Sequence, residues 1–379
     1  MRIICAPDSF KESLTAAQAA QAMGRGIVGV ASGAQVDLCP IADGGEGTVD
    51  AMLSATGGEA QTTRVTGPLG EPVNAVWGLL GRTGDEPLTA IIEMAAASGL
   101  ALVAPDQRDA TRTTTFGTGQ LIEAALAAGA QRIIMGIGGS ATNDGGCGMA
   151  TALGAVFRDG DGQPVPTPGP TGGTLCGIDT IDLDGIDKRI RQTQIIVACD
   201  VTNPLTGLNG AAHIYGPQKG ATPKQVEQLD HSLAHLAQLI RDQLGKDIEQ
   251  IPGAGAAGGL GGGLLAYLGA RLQPGIELVL EAVGFDRRVQ GCDLCLTGEG
   301  RLDGQSVSGK ACLGVAAAAR RAGVDTVALV GSVGPLAERT IDAGLKAYHV
   351  IGPDLPVDES MRRAAQLLQS ATANLLQSS

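Results

Sequence analysis

Short runs of apolar, mostly β-branched residues alternate along this chain with alanine-rich stretches that have helical periodicity. Each apolar run has the length of one strand, and eight such runs occur: Ile3–Ala6, Val36–Ile41, Ala90–Met94, Arg132–Ile137, Gln194–Cys199, Asp293–Thr297, Thr326–Val330 and Ala347–Ile351. Strands that alternate with helices in this way form mostly parallel sheets covered by helices on both faces. The alternation therefore predicts an α/β protein.

Three stretches between these runs carry helix signals. Thr15 and Gln18 have the spacing of a capping box, which predicts a helix extending to about Val30. A second helix is predicted over Thr118–Ala128, where a glycine follows directly. Over Val226–Leu244 the apolar residues recur at helical spacing, which predicts an amphipathic helix.

The stretch Val65–Leu88 has a different character. A turn cluster over Thr66–Pro72 leads into a strand-like run at Val73–Leu79, which predicts antiparallel strands. The chain has 379 residues, and at roughly 150 residues per domain this length suggests two or three domains. We therefore expect a second architecture in the middle of the chain.

Charge and composition exclude several classes of protein. The net charge is −12, whereas a domain that neutralises nucleic-acid phosphates is usually basic, so we expect no nucleic-acid partner. Hydrophobic residues make up 44% of the chain, which excludes intrinsic disorder. The 58 glycines cluster in short loops between apolar runs, where they let backbone N–H groups approach an anion closely.

Two features of the sequence bear on where the protein is located in the cell. The N-terminus turns polar at Asp8 without the apolar stretch of a signal peptide, and the uncharged span Gly253–Ala270 contains eight glycines. We interpret that span as a glycine-rich loop leading into a short buried helix, not as a membrane helix. The eight cysteines, including the lone pair Cys292 and Cys295, are expected to be free thiols in a reducing cytoplasm. A zinc or redox role for that pair is the less favoured alternative.

Many of the apolar runs end in an acidic residue or a glycine cluster. Six such strand exits occur, around Asp8, Asp43 to Glu46, Gly138, Asp200, Glu299 and Ser332. The carboxyl ends of strands line the ligand crevice in open α/β sheets. The exits therefore predict a site for an anionic small molecule, with a metal as a further option. The alternative is that these residues only make turns, because Gly and Asp favour turns.

The loop from Gly138 to Gly146 is the strongest of these signals. It follows a predicted strand and offers Gly138, Gly139, Ser140 and Asn143 as donors to phosphate oxygens. Asp144 in the same loop could take a cation. The alternative is a tight glycine-rich turn without a ligand.

Two familiar nucleotide-binding patterns are near misses. Gly304 to Lys310 matches GxxxxGK, but Ala311 follows where a P-loop needs Ser or Thr to hold Mg²⁺. Gly253 to Gly258 matches GxGxxG, but no strand-like run precedes it. The sequence therefore predicts neither a P-loop NTPase nor a dinucleotide-binding domain.

Several blocks of this sequence resemble the bacterial type I glycerate kinases, in order from about residue 1 to 350. They are Ala6–Leu14, Ala42–Thr48, Glu93–Gly99, Gly138–Gly146, Ala198–Asp200, Gly216–Ala221, Gly253–Gly259, Thr297–Arg301 and Asp303–Gln305. The resemblance implies an ATP-dependent kinase that uses Mg²⁺ and phosphorylates D-glycerate. The product in this family is generally 2-phosphoglycerate, although 3-phosphoglycerate has also been assigned.

The same resemblance implies two α/β domains. One is a discontinuous, flavodoxin-like domain with a parallel sheet, mapped here to 1–60 and 290–379. The other is an inserted α/β domain with a mixed sheet, mapped to 61–289. Five of the eight predicted strands fall in the first domain, a number that suits a flavodoxin-like sheet.

The resemblance does not supply residue roles, so we assign them from the chemistry of the reaction. A glycerate kinase must neutralise the carboxylate of the acid and align one hydroxyl with the γ-phosphorus. We expect Lys11 and Arg301 to provide positive charge, with Lys11 also counted among the catalytic residues. Asp8, Ser9 and Lys219 are the further candidates for substrate binding. A solvated lysine is the alternative interpretation of each lysine.

The carboxylates divide between two roles. Asp200 or Asp43 is expected to accept the hydroxyl proton during phosphoryl transfer. Glu299 and Asp303 are expected to lie near Mg²⁺, which binds through one or two carboxylates plus phosphate oxygens. The Gly138–Gly146 loop is expected to hold phosphate.

Two rival functions stay open at this point. An oxidoreductase would use the GxGxxG pattern, against which the missing strand argues. A non-catalytic protein that binds small acids is disfavoured, because an anion site without a metal should not be ringed with carboxylates. The sequence predicts no oligomeric state.

Overall fold

A computed structural model gives the fold and describes residues 1–42, 44–45, 47–82, 84, 86–303 and 311–377. Contacts along the chain divide it into two compact units. The first unit comprises Met1–Asp43, Gly47–Gly58 and Pro274–Ser379, and the second comprises Gly44–Glu46 and Glu59–Gln273. The domain boundaries inferred from sequence stay a prediction about the organisation of the protein.

Strands and helices alternate through most of the chain. The first stretch contains β1 (Arg2–Cys5), α1 (Ala16–Val30), β2 (Gln35–Leu38) and α2 (Thr48–Thr56). The middle stretch contains β3 (Glu59–Thr66), β4 (Pro72–Leu79), β5 (Thr89–Glu93), α3 (Ala95–Ser98), α4 (Phe116–Ala127), β6 (Arg132–Gly136), α5 (Cys147–Ala152), β7 (Val156–Asp159), β8 (Ile178–Asp182), β9 (Gln194–Ala198), α6 (Ala211–Tyr215), α7 (Pro223–Leu244), α8 (Leu260–Leu268) and β10 (Arg271–Gln273). The last stretch contains α9 (Gly275–Ala282), α10 (Phe285–Arg288), β11 (Leu294–Thr297), β12 (Arg301–Leu302), α11 (Ala311–Arg321), β13 (Thr326–Val330), β14 (Ser332–Val333), α12 (Arg339–Asp342), β15 (Ala347–Val350), α13 (Val357–Arg362) and α14 (Ala364–Gln377).

The first unit is built on a five-stranded parallel sheet with the order β15-β13-β11-β1-β2. All five strands fall on apolar runs predicted from the sequence, so the predicted flavodoxin-like parallel sheet is confirmed. The central strands are buried on both faces, as their continuous apolar character requires. Because the strands are parallel, their carboxyl ends meet at one edge of the sheet.

Helix α1 covers this sheet together with α14. The capping box predicted at its start is present, with the Thr15 side chain accepting from the backbone N–H of Gln18 and the reverse bond also made. Met23 and Ile27 on its buried face pack in one core with Leu368 of α14. Gly26 allows the two helices to approach, because a Cβ there would lie 2.4 Å from the carbonyl oxygen of Gln369.

The second unit contains a six-stranded mixed sheet with the order β10-β9-β6-β5-β4-β3. Strands β10, β9, β6 and β5 are parallel, whereas β4 pairs antiparallel with both β5 and β3. The hairpin of β3 and β4 turns through the predicted cluster, where the N–H of Gly67 donates to the carbonyl of Glu71. The predicted antiparallel segment and the mixed sheet are therefore confirmed.

Two helices of the second unit match their sequence signals. Helix α7 buries the apolar stripe that predicted it, begins at the capping residue Thr222 and ends at Gly245 in the left-handed conformation. The span Gly253–Ala270 is a glycine-rich turn region followed by the short buried helix α8, as predicted. Within the described residues, no helix is both long enough and apolar enough to cross a membrane.

Candidate active site

A cavity of about 850 Å³ lies in the first unit, where the loops after β1, β11, β13 and β15 converge. Its charged and hydroxyl-bearing lining comes mainly from the loops after β1 and β11: Asp8, Ser9, Lys11, Glu12, Glu299, Arg301 and Asp303. Its apolar lining comes mainly from the later elements: Val333, Val350, Ile351, Leu355, Val357 and Met361. Six residues predicted as site residues thus line one cavity.

The loop after β1 presents the first group of polar side chains. The backbone N–H of Asp8 donates to the carbonyl of Gly298, which fixes the loop beside the end of β11. The Asp8 carboxylate accepts from the N–H of Ser9 at 2.6 Å. Phe10 and Leu14 close the loop by reciprocal backbone hydrogen bonds of 2.9 Å. Glu12 at its tip has a φ of 62°, a left-handed conformation that non-glycine residues seldom adopt and that recurs at functional loops.

Glycines allow the loops after β11 and β13 to pack closely. A Cβ at Gly298 would lie 2.2 Å from the carbonyl oxygen of Leu329, and one at Gly331 would lie 2.6 Å from that of Gly300. Only glycine fits at either position, because real Cβ atoms do not approach backbone so closely. The two loops then pair as the short parallel strands β12 and β14. This pairing places Arg301 beside Ser332.

The charges of the cavity come from both loops. The Nε of Arg301 lies 3.6 Å from a carboxylate oxygen of Asp303. The Arg301 side chain is 64% exposed and that of Asp303 is 19% exposed, so the guanidinium is available to a ligand. Glu299 is buried at 7% exposure, whereas Lys11 is exposed. The cavity therefore combines carboxylates with two cations, as binding of an anion together with a cation would require.

The Gly138–Gly146 loop belongs to the second unit and follows β6. Gly138 and Gly139 are exposed at its tip, whereas Ser140 to Gly146 are buried. The tip can therefore meet a ligand through its backbone, and the rest of the loop lies inside the protein.

Asp144 is buried in this loop and accepts several hydrogen bonds. Its carboxylate accepts hydrogen bonds from the backbone N–H and the hydroxyl of Thr115, at 2.7 and 2.8 Å, and from the N–H groups of Gly146 and Gly148. Burial raises the pKa of Asp144, and these four donors oppose that shift. The carboxylate ties the loop to the start of α4 and to α5.

Lys219 is buried against the same loop. Its side chain is 1% exposed, and its Nζ donates to the carbonyl oxygen of Thr142 at 2.7 Å. Burial lowers the pKa of Lys219 to about 7, and the nearby charge of Asp144 opposes that shift. The amide of Asn143 and the hydroxyl of Thr142 are also buried and have no hydrogen-bond partner among the residues that the structure describes. Lys219 is therefore not a solvated surface lysine.

The remaining predicted residues that the structure describes do not line this cavity. Asp200 follows β9 in the second unit and is exposed. Asp43, together with the segment Gly304 to Lys310, lies outside the described residues. In the part of the chain that the structure describes, no three or more His, Cys, Asp or Glu side chains cluster closely enough to hold a metal ion by themselves.

Sequence reasoning missed the apolar side of the cavity. Val333 precedes a glycine-containing turn, and Leu355, Val357 and Met361 lie in or beside the short helix α13. Their local sequence reads as an ordinary surface segment. The relevant signal was the position of β13 and β15 in the sheet, which local patterns do not encode.

Comparison with known proteins identifies the family. The model of the glycerate kinase family matches residues 3–379. This chain belongs to the glycerate kinase family. It is 49% identical over 374 residues to a glycerate kinase of Halalkalibacterium halodurans, covering 98% of this chain and 97% of the relative. It is 48% identical over 379 residues to the glycerate 2-kinase of Escherichia coli K12, covering 99% and 97% of the two chains.

A solved structure agrees with this assignment to the glycerate kinases. A protein assigned as glycerate kinase 2 from Salmonella typhimurium LT2 superposes with a TM-score of 0.89 at 44% identity. The match covers 100% of this chain and 98% of that one. The chain is therefore an enzyme of the phosphotransferase class, and membership of a kinase family implies ATP as the phosphoryl donor.

Proposed function

We propose that the protein transfers the γ-phosphate of ATP to D-glycerate in the presence of Mg²⁺, giving 2-phosphoglycerate and ADP. The observation that supports this most is the gathering of Asp8, Ser9, Lys11, Arg301 and their neighbouring carboxylates around one cavity of the first unit. The 2-phospho product is proposed from the likeness to the Escherichia coli protein, which is named glycerate 2-kinase.

The cations of the cavity suit a small carboxylic acid. Arg301 presents an exposed guanidinium, and a guanidinium can bind a carboxylate through two parallel hydrogen bonds. Lys11 adds an exposed ammonium from the loop after β1. We assign these two residues to the carboxylate of glycerate and to the charge that develops during transfer, with Asp8 and Ser9 as hydrogen-bonding partners of its hydroxyls.

Glu299 and Asp303 fit a Mg²⁺ ion that arrives with the nucleotide. Both offer hard oxygen donors in the same cavity, and Mg²⁺ typically uses one or two carboxylates together with phosphate oxygens. A ready-made cage of protein ligands is therefore not needed. When bound, the ion would neutralise charge on the phosphate oxygens.

The proposed phosphate-binding loop and the first candidate for the proton acceptor belong to the second unit. Asp200 is exposed and is proposed to accept the proton of the reacting hydroxyl, with Asp43 as the alternative. The backbone N–H groups of Gly138 and Gly139, with Ser140 behind them, are proposed to bind phosphate oxygens. Asp144 and Lys219 are buried and hydrogen-bonded, so we propose that they act by holding this loop rather than by touching substrate. Asn143 stays a proposed phosphate-binding residue of the loop.

The eight cysteines are free thiols, which suits the reducing cytoplasm as the proposed location.

One assay tests the proposed reaction. ADP release is measured with Mg-ATP and D-glycerate, with L-glycerate, glycolate and no acceptor as controls, and phosphorus NMR identifies the product. ADP release that depends on D-glycerate, with 2-phosphoglycerate as the product, is the expected result. Folded protein that releases no ADP with D-glycerate and Mg²⁺ would contradict the proposal, and 3-phosphoglycerate would contradict the regiochemistry.

A further inference from the structure

The lining of the cavity changes character from one side to the other. The charged side chains follow β1 and β11, which are central in the sheet order β15-β13-β11-β1-β2. The apolar side chains lie at the end of β15 or after β13 and β15, toward the outer edge: Val333, Val350, Leu355, Val357 and Met361. We call these five residues the apolar wall. A ligand that fills the cavity must therefore be charged at one end and apolar at the other.

Glycerate matches only the charged end. It is a three-carbon acid with a polar group on every carbon, so it has no apolar surface to place against the wall. A cavity of about 850 Å³ is also much larger than this acid needs, since pockets of about 300–1,000 Å³ bury drug-sized ligands. The other reactant of the proposed reaction is a nucleotide, which is larger and carries a flat base at the end opposite its phosphates.

Two side chains of the apolar wall are exposed to solvent, and a bound base would cover them. Val333 is 45% exposed and Val357 is 70% exposed, although both are β-branched apolar residues beside a cluster of carboxylates. Burying this apolar surface against a flat base lowers the free energy of the complex, and this contributes to the affinity for the base. The chain contains eight aromatic residues, and the one that lines this cavity, Phe10, is itself buried at 2% exposure. An aliphatic contact, not aromatic stacking, is therefore what the wall offers.

We propose that the apolar wall binds the purine base of the nucleotide, with the triphosphate directed toward Glu299 and Asp303. Ser360 of α13 also lines the cavity and provides a hydroxyl group for the polar edge of the base. The carboxylates of Glu299 and Asp303 would repel a bare triphosphate, so this orientation requires the magnesium complex. The proposal rests on the proposed function for the identity of the nucleotide.

The test compares two exposed positions of the wall with a matched valine elsewhere. V333S and V357S, alone and combined, remove apolar contact at sites that are already exposed, so the fold should persist. V28S is the control, because Val28 is 52% exposed on α1 of the same unit and does not line the cavity. The combined variant should raise the KM for ATP about tenfold, in the range known for the loss of a small apolar contact in a pocket. Its KM for D-glycerate should stay within about twofold.

Direct binding separates this proposal from the proposed function. Titration calorimetry with Mg-ADP measures nucleotide affinity without turnover, and the combined variant should bind more weakly than V28S. If the wild type does not turn over D-glycerate yet this difference in Mg-ADP binding appears, the base site stands and the assigned acceptor fails. If the combined variant binds Mg-ADP as V28S does, or raises only the KM for D-glycerate, the base site is overturned.

Photolabelling gives an independent location. After irradiation with 8-azido-ATP and tryptic digestion, label is expected on the peptide 347–362, which carries most of the wall, or on 322–339, which carries Val333. Excess Mg-ATP should prevent this labelling, whereas D-glycerate alone should not. Protectable label found only on other peptides would overturn the proposal.

Discussion

The ammonium nitrogen of Lys219 lies 2.7 Å from the carbonyl oxygen of Thr142, and both residues are buried. This bond connects the turn after α6 with the Gly138–Gly146 loop. An ammonium in such a place gives up its hydration, and one carbonyl with a nearby carboxylate replaces it in part. The position of a loop proposed to bind phosphate is thus coupled to the ionisation of a buried lysine.

Lys219 should make stability depend on pH in a defined direction. Its pKa is about 7 when folded against 10.5 in the unfolded chain, so between these values the unfolded state binds more protons. The free energy of unfolding should therefore rise with pH from about 7 to 10, by at most about 1.4 kcal/mol per pH unit. Below pH 7 the lysine is charged in both states, so the slope vanishes and the cost of burying the charged lysine is at its largest.

Urea unfolding of the wild type and K219M across this pH range measures the effect. The unfolding free energy of the wild type minus that of K219M should increase as the pH rises. K224M removes an exposed lysine of α7 and should leave the pH dependence of the wild type unchanged. Parallel curves for the wild type and K219M would show that Lys219 keeps its proton when folded.

Arg301 should govern affinity for the acid substrate. R301Q removes the guanidinium from the cavity, and the KM for D-glycerate should rise at least about tenfold, as expected for loss of a charge-assisted pair. R321Q is a close control, because Arg321 is 65% exposed against 64% for Arg301 and also pairs with an aspartate. Steady-state kinetics at saturating ATP make the comparison. Equal KM values for R301Q and R321Q would contradict the assignment of Arg301 to the substrate site.

Asp200 should affect the chemical step without affecting the fold. D200N keeps the shape of the side chain but cannot accept a proton, so kcat should fall by about 100-fold or more while the melting temperature stays unchanged. D179N changes another exposed aspartate of the same unit and should leave kcat unaffected. Full activity of D200N would exclude Asp200 as the proton acceptor and favour Asp43.

Asp303 should set the requirement for magnesium. D303N removes one proposed oxygen ligand, so the Mg²⁺ concentration that gives half-maximal rate should rise several-fold at fixed ATP. D325N serves as the control, because Asp325 is exposed in the same unit and pairs with Lys346. A magnesium titration of ADP release compares the three proteins. An unchanged midpoint for D303N would assign the ion to other residues.

Two glycines of α1 should respond oppositely to alanine. G26A places a Cβ 2.4 Å from the Gln369 carbonyl and 2.8 Å from the Cβ of Thr372, so it should separate α1 from α14 and cost about 1–3 kcal/mol. Gly29 lies three residues further on, is exposed and has nothing within 4 Å of an added Cβ. G29A should therefore stabilise the protein by about 0.5–1 kcal/mol. Thermal unfolding distinguishes the two outcomes, and a stable G26A would show that the helix pair can move apart freely.

Much of the fold was predictable because strands and helices leave local patterns. The apolar runs around Ile3 and Leu296 marked central strands, since both faces of a parallel sheet are buried. Thr15 and Gln18 marked a helix start through a bond that depends only on near neighbours. Asp8 and Arg301 could be expected in one site because each follows a strand, and parallel strands end at the same edge.

What the sequence did not reveal depends on packing between distant segments. Nothing in the residues around Lys219 distinguishes a buried lysine from a solvated one, because its burial comes from the Thr142 loop about 80 positions earlier. The place of Val357 beside the charged loops depends on the order of the strands, which no local pattern encodes. These positions required the three-dimensional structure.

The strand order also fixes when the first unit can form during synthesis. Ile3 of β1 pairs with Leu294 of β11, so the N-terminal strand leaves the ribosome 291 residues before its central neighbour is made. At about 5–20 residues per second, β1 waits some 15–60 s for that partner. The residues 59–273 of the second unit are complete by then and can fold first. The five-stranded sheet closes last, so its apolar strand β1 is the segment that a nascent-chain chaperone would need to protect.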